Sequence, residues 1–123
     1  LVVVVSLHAF KQLKPNFGIL GKIDARGVAV TACSHGDNGD GRFGEGVDYV
    51  CRFFGPQVGV DEDPVTGSAH CTLVPLWAQR LGTDSLVGYQ ASQRGGIVTL
   101  RLCNERVKLR GSAVTTIVGK LYC

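Results

Sequence analysis

The chain has 123 residues, 13 Lys and Arg against 10 Asp and Glu, a formal charge of +3, and 45% hydrophobic residues. That is enough for one ordinary globular core and too little for two, with no bias toward disorder. The cations are scattered, with no basic run and no interleaved aromatics, so nucleic acid is not expected as a partner.

Residues 1–6 (LVVVVS) form a β-branched run that reads as a buried strand; it is far too short to span a bilayer and lacks the features of a signal peptide. From His8 to Ile23 apolar residues recur at helical spacing but are interrupted by Pro15 and Gly18, which predicts one or two short helical pieces. Residues 27–33 (GVAVTAC) are a second strand, and strand–helix–strand order implies a parallel pair. Residues 34–46 are loop by composition. Aligning Gly41 with the central Gly of a calcium loop puts Gly36 first and Val47 last, so neither end carries the required acid. Residues 47–54 are a third strand.

Residues 69–81 are apolar on nearly all sides at first, which predicts a buried helix, bent or broken at Pro75 and stopped by Gly82. Strands follow at 86–92, 96–103 and 107–110, with a last one at 113–122 after a Gly111–Ser112 turn. The fold class is therefore α+β, a mixed and mostly antiparallel sheet with one greasy helix to wrap around. The five cysteines are widely spaced with no CxxC, so no disulfide framework or metal site is expected, and reduced thiols fit a cytoplasmic protein. Cys71 reads as a buried, inert thiol. The chain has no Met and begins on a strand, which is expected of a fragment, a processed product or one lobe of something larger.

The densest chemistry lies at residues 61–70, DEDPVTGSAH. Three carboxylates precede a small-residue turn that opens a helix. Helix starts expose unpaired N–H groups that seat anions, and an adjacent acid can move a proton. The same residues also read as a plain helix start, with Asp63–Pro64 as the signal and Thr66, Gly67 and Ser68 as capping and packing residues. The sequence leaves both open. His70 reads more readily as a hydrogen-bonded structural residue than as a base. Arg94 and Gly95 in SQRGG fit a plain hairpin as well as a site edge.

RFFGP (52–56), VGVDEDPVTGSAH (58–70), QASQRGG (90–96), RGVAVTA (26–32) and the closing pattern from Arg106 to Gly119 fall in the order and spacing of the phenazine-biosynthesis-like, or PhzF-like, family. The resemblance covers nearly the whole chain. It implies the diaminopimelate-epimerase type of fold, in which two similar lobes each wrap a mixed sheet around a central helix, here about residues 67–81. Residues 1–123 would be one domain equivalent to the C-terminal lobe.

The resemblance implies an isomerase of biosynthetic type that needs no cofactor or metal and moves a proton on a small carboxylic acid at the cleft between lobes. Asp63 matches the family's second-lobe aspartate and Ser68 the serine of the same motif. The amides of Gly67 and Ser68, with Thr66, Ala69, His70, Arg94 and Gly95 around them, would bind the substrate. The family's proton-shuttling glutamate and an accompanying histidine belong to the first lobe, which this sequence lacks, and Glu45 lies outside any matching motif. The expected partner is therefore a first lobe or a second copy in a dimer, with no membrane. An inert fragment and a non-catalytic binding protein remain alternatives.

Overall fold

Six strands lie in one sheet in the order in which they occur along the chain: β1 (Val2–Val4), β2 (Val28–Cys33), β3 (Tyr49–Phe54), β4 (Ser85–Gln90), β5 (Gly96–Cys103) and β6 (Arg106–Arg110). The computed structural model describes residues 1–35, 43 and 45–122. β1 runs parallel to β2 and β3 parallel to β4, while β2–β3, β4–β5 and β5–β6 are antiparallel. The expected parallel first pair is present, joined through the short helices α1 (Leu7–Lys11) and α2 (Phe17–Leu20). Ser6 and Asn16 open these helices, each accepting an N–H from three residues on, at 3.1 Å in both cases.

The third helix, α3 (Gly67–Leu81), crosses between β3 and β4 and ends at Gly82, whose φ of 67° is left-handed. It lays Ala69, His70, Leu73, Val74, Trp77 and Ala78 on one face of the sheet. Tyr49, Cys51, Leu86, Val98 and Leu100 meet it from the strands. On the opposite face, Phe10 packs with Val28, Val30, Ala32, Val50 and Phe54. Trp77 donates its indole N–H to Thr31 Oγ1 at 3.0 Å, and Thr31 passes its own proton to the carbonyl of Val50 at 2.7 Å. The buried Trp77 and Thr31 polar atoms are thus paired across three elements.

Several expectations are corrected. Helix α3 is not buried all round: Cys71, Thr72, Pro75 and Gln79 are exposed, because the sheet covers one side of it only. Cys71 is accordingly an exposed thiol. Pro75 neither breaks nor ends α3, since it stands on the exposed side within a continuous helix. β1 is an edge strand with Val3 and Val4 each 38% exposed, not a buried one. The strand expected at 113–122 does not form. That segment has no regular structure, and Val114, Ile117, Val118, Leu121 and Tyr122 are 85–90% exposed. β-Propensity alone does not hold a strand without a surface to pair and pack on. Most of the glycine-rich loop, residues 36–42 and 44, and Cys123 lie outside the described residues. Among the described residues no helix is long and apolar enough to cross a membrane, and no group of three or more His, Cys, Asp or Glu could hold a metal.

Candidate active site

The start of α3 is set against the end of β3 by the path of the chain between them. After Phe54, a 3-10 turn at Pro56–Val58 closes on Gly59, whose φ of 81° is left-handed, and Gly55 bridges Val60. The chain then returns along β3, so that the Asp63 N–H donates to the Phe53 carbonyl at 3.0 Å. The three acids of the motif separate here. Asp61 is exposed. Glu62 takes a two-pronged pair from Arg52, Nε to Oε1 at 2.7 Å and Nη2 to Oε2 at 2.9 Å. Arg52 also donates to the Leu13 carbonyl at 3.0 Å and lies 4.9 Å from the centre of the Phe54 ring. Glu62 is therefore a fastening of the β3 end, and Asp63 is the carboxylate left for the site.

Asp63 is half-buried, and its Oδ2 accepts the Thr66 hydroxyl at 2.5 Å. Thr66 occupies the position before α3 with extended backbone, yet its hydroxyl makes no capping bond. The reading of these residues as a plain side-chain cap thus fails at its central residue. Ala69 and His70 send their N–H groups back to the Thr66 carbonyl. Gly67 and Ser68, both exposed, find no protein acceptor for theirs among the described residues. A helix start in this state carries positive partial charge toward solvent.

Arg26 adds a full charge to it. Its Nη2 donates to Ser68 Oγ at 2.7 Å while its guanidinium lies 5.7 Å from the centre of the Phe53 ring. A hollow of about 110 Å³ opens there, with Arg26, Phe53, Ser68, Ala69 and Thr72 in its lining. The approach is close because residue 27 is Gly: a Cβ there would stand 2.3 Å from Phe53 Cζ. Arg26 lies outside the residues expected at the site from sequence. Its signal was weak, a lone cation before a strand 42 residues from Ser68.

The other expected residues are placed as follows. Thr66 and His70 are buried. His70 turns into the core, where its Nδ1 shares a 2.7 Å hydrogen bond with the Tyr49 hydroxyl and its Nε2 has no partner. Burial pushes its pKa down to about 4, so the ring is neutral, and burial raises that of Tyr49. Arg94 and Gly95 do not join Ser68. They line a separate groove with Val65, Tyr89 and Ile97, linked to the motif by the Ser92 hydroxyl, which donates to the Pro64 carbonyl at 2.8 Å.

A six-stranded mixed sheet with an apolar helix against it, and an acid beside that helix's open N-terminus, defines a diaminopimelate-epimerase-like α+β fold. Residues 1–119 match the family described as phenazine biosynthesis-like protein, PhzC-PhzF, and the chain belongs to that family. It is 43% identical over 121 residues to an uncharacterized isomerase of Halalkalibacterium halodurans, spanning 98% of this chain and 43% of the relative. An uncharacterized isomerase of Pseudomonas aeruginosa is 46% identical over 98% of this chain and 42% of its own length. The crystal structure of a PhzC/PhzF protein from Clostridium difficile superposes with a TM-score of 0.78 at 35% identity, over 99% of this chain and 44% of that one. The chain thus spans less than half the length of the relatives it matches.

Proposed function

We propose that this chain is the C-terminal lobe of a PhzF-like isomerase, which moves a proton on a small carboxylic acid by acid–base chemistry without a cofactor. The carrying observation is the pairing of an anchored Asp63 with an uncapped helix start that Arg26 makes more positive. The carboxylate of the substrate would lie at Gly67 and Ser68, with Arg26 and the α3 dipole holding its charge. Asp63 would position the reacting carbon or take part in the proton relay, and a glutamate of a facing lobe would carry the main transfer.

The hollow at Ser68 is about 110 Å³, well below the roughly 300 Å³ at which small-molecule sites begin. This supports a site completed by a second lobe. So does the exposed apolar stretch from Val114 to Tyr122, which calls for a covering partner. In this reading the partner is a first lobe or a second copy, in the cytoplasm; Thr66 and Ala69 frame the wall, while His70 supports it from the core and Arg94 and Gly95 stand apart in their own groove.

The test is incubation in D₂O with a panel of small amino- and hydroxy-carboxylic acids, followed by NMR for deuterium uptake, alongside native mass measurement. Deuterium uptake by the assembled protein that disappears in Asp63→Asn is the expected result, and the isolated lobe is expected to be inactive. A monomer with no exchange on any acid overturns the half-enzyme reading. A second reading, a non-catalytic interaction member, is favoured by the same apolar stretch and would show as stable assembly without exchange.

A further inference from the structure

Gln90, the last residue of β4, is fully buried and touches Asp63 and Thr66 with both ends of its amide. Its Oε1 accepts the Thr66 backbone N–H at 2.8 Å. Its Nε2 donates to the Asp63 carbonyl at 2.6 Å and meets Thr66 Oγ1 at 3.1 Å. A backbone N–H can only donate and a carbonyl can only accept, so the amide can stand in one orientation only. The consequence passes to the hydroxyl. An amide nitrogen only donates, so Thr66 Oγ1 accepts from Gln90 and must direct its single proton to Asp63 Oδ2, 2.5 Å away. Oδ2 is therefore held as an acceptor, and among the described residues Oδ1 has no hydrogen-bond partner.

We infer that Gln90 is a positioning residue for the site: by fixing the direction of the Thr66 hydroxyl proton it commits Asp63 Oδ2 and leaves Oδ1 as the oxygen that exchanges protons or hydrogen bonds with a substrate. Any proton on Asp63 then resides on Oδ1. The buried amide does for the acid what a preorganised second partner does in other sites, removing rotation about the carboxyl bond before the substrate arrives. Gln90 is well placed for this, because its backbone is held in register between Cys51 of β3 and Gly96 of β5.

The inference gives Asp63 its orientation within the proposed reaction and so rests on that reading for its purpose, but its test needs no substrate. Solution NMR of the chain should show a Thr66 hydroxyl proton protected from water and close to the Asp63 carboxyl carbon. Thr66→Ser should retain that signal and Thr66→Val should lose it and move the Asp63 carboxyl resonance. Gln90→Glu, read at a pH high enough to ionise residue 90, keeps the acceptor for the Thr66 N–H but replaces the donor with an oxygen. The Thr66 proton should then turn to residue 90, exchange with water about tenfold faster, and shift the Asp63 resonance in the same sense as Thr66→Val. If Gln90→Glu changes only backbone amide shifts around residues 63–66, with the hydroxyl and carboxyl signals as in the parent, Gln90 is a structural clamp and the inference is overturned. If that variant does not fold, the parent chain decides alone, since absence of a protected Thr66 hydroxyl proton near Asp63 also overturns it. Failure of the isomerase reading would appear in the deuterium assay and leave these signals as they are.

Discussion

Glu62 and Asp63 are neighbours in the chain and engage different parts of it. Glu62 is gripped by Arg52, with side chains 21% and 18% exposed respectively, so the pair is only partly screened by water. Replacing Arg52 with Met removes both prongs and the bond to Leu13, and should cost about 2 kcal/mol of stability; chemical denaturation measures it, and Asp61→Asn is the control that should change little. At His70 the sign follows from burial. The folded ring has a pKa of about 4 against an ordinary 6.5, so between those values the unfolded chain binds more protons than the folded one. Stability from this residue is therefore full above about pH 6.5 and is lost as pH falls toward 4, by at most about 3 kcal/mol. Denaturation curves across that range should show the loss, and His70→Phe should flatten it.

Helix α3 is the element that connects core to site. Its buried side stacks Trp77 on Tyr49, with ring centroids 5.8 Å apart and planes 8° from parallel, and Tyr49 in turn reaches His70 in the first turn. The N-terminus at Gly67 is thus aimed by contacts made deep in the sheet. Gly88 of β4 lies under this stack, where an added Cβ would stand 2.7 Å from Tyr49 Cζ and 3.1 Å from His70 Cε1. Gly88→Ala should destabilise the chain by about 1–3 kcal/mol and shift the resonances of residues 66–70, as thermal melts and amide spectra would show. Most elements were legible from local pattern: β5 stands at 96–103 where alternation put it, and α3 ends at Leu81 where the Gly82 stop put it, starting at Gly67, two residues before the apolar pattern begins. The covered side of α3 was not legible, because a segment apolar on every side does not say which side its neighbours will take.

At the scale of the molecule, the sheet ends in two unlike edges. β6 exposes Arg106, Lys108 and Arg110, charges that guard an edge against further pairing, whereas β1 exposes Val3 and Val4 without such protection. Residues 113–122 lie against neither. Deleting them should change the stability of the remainder by less than about 0.5 kcal/mol, as for surface residues without contacts, while abolishing any assembly seen by native mass measurement. A large loss of melting temperature would instead mean that the segment packs on its own chain.

The acid–turn–helix motif and the positions of the strands along the chain follow from local composition and spacing, since turn chemistry and apolar periodicity are properties of short segments, and the quoted motifs carry the family resemblance. Which acid remains available, Asp63 and not Glu62, was decided by Arg52 from another part of the chain. So were the proximity of Arg26 to Ser68, the inward turn of His70 and the grip of Gln90 on Thr66. These are contacts between residues 10–42 positions apart, and hydrogen-bond partners at such separations are chosen by the register of strands and the placement of a helix, which only the folded sheet brings together.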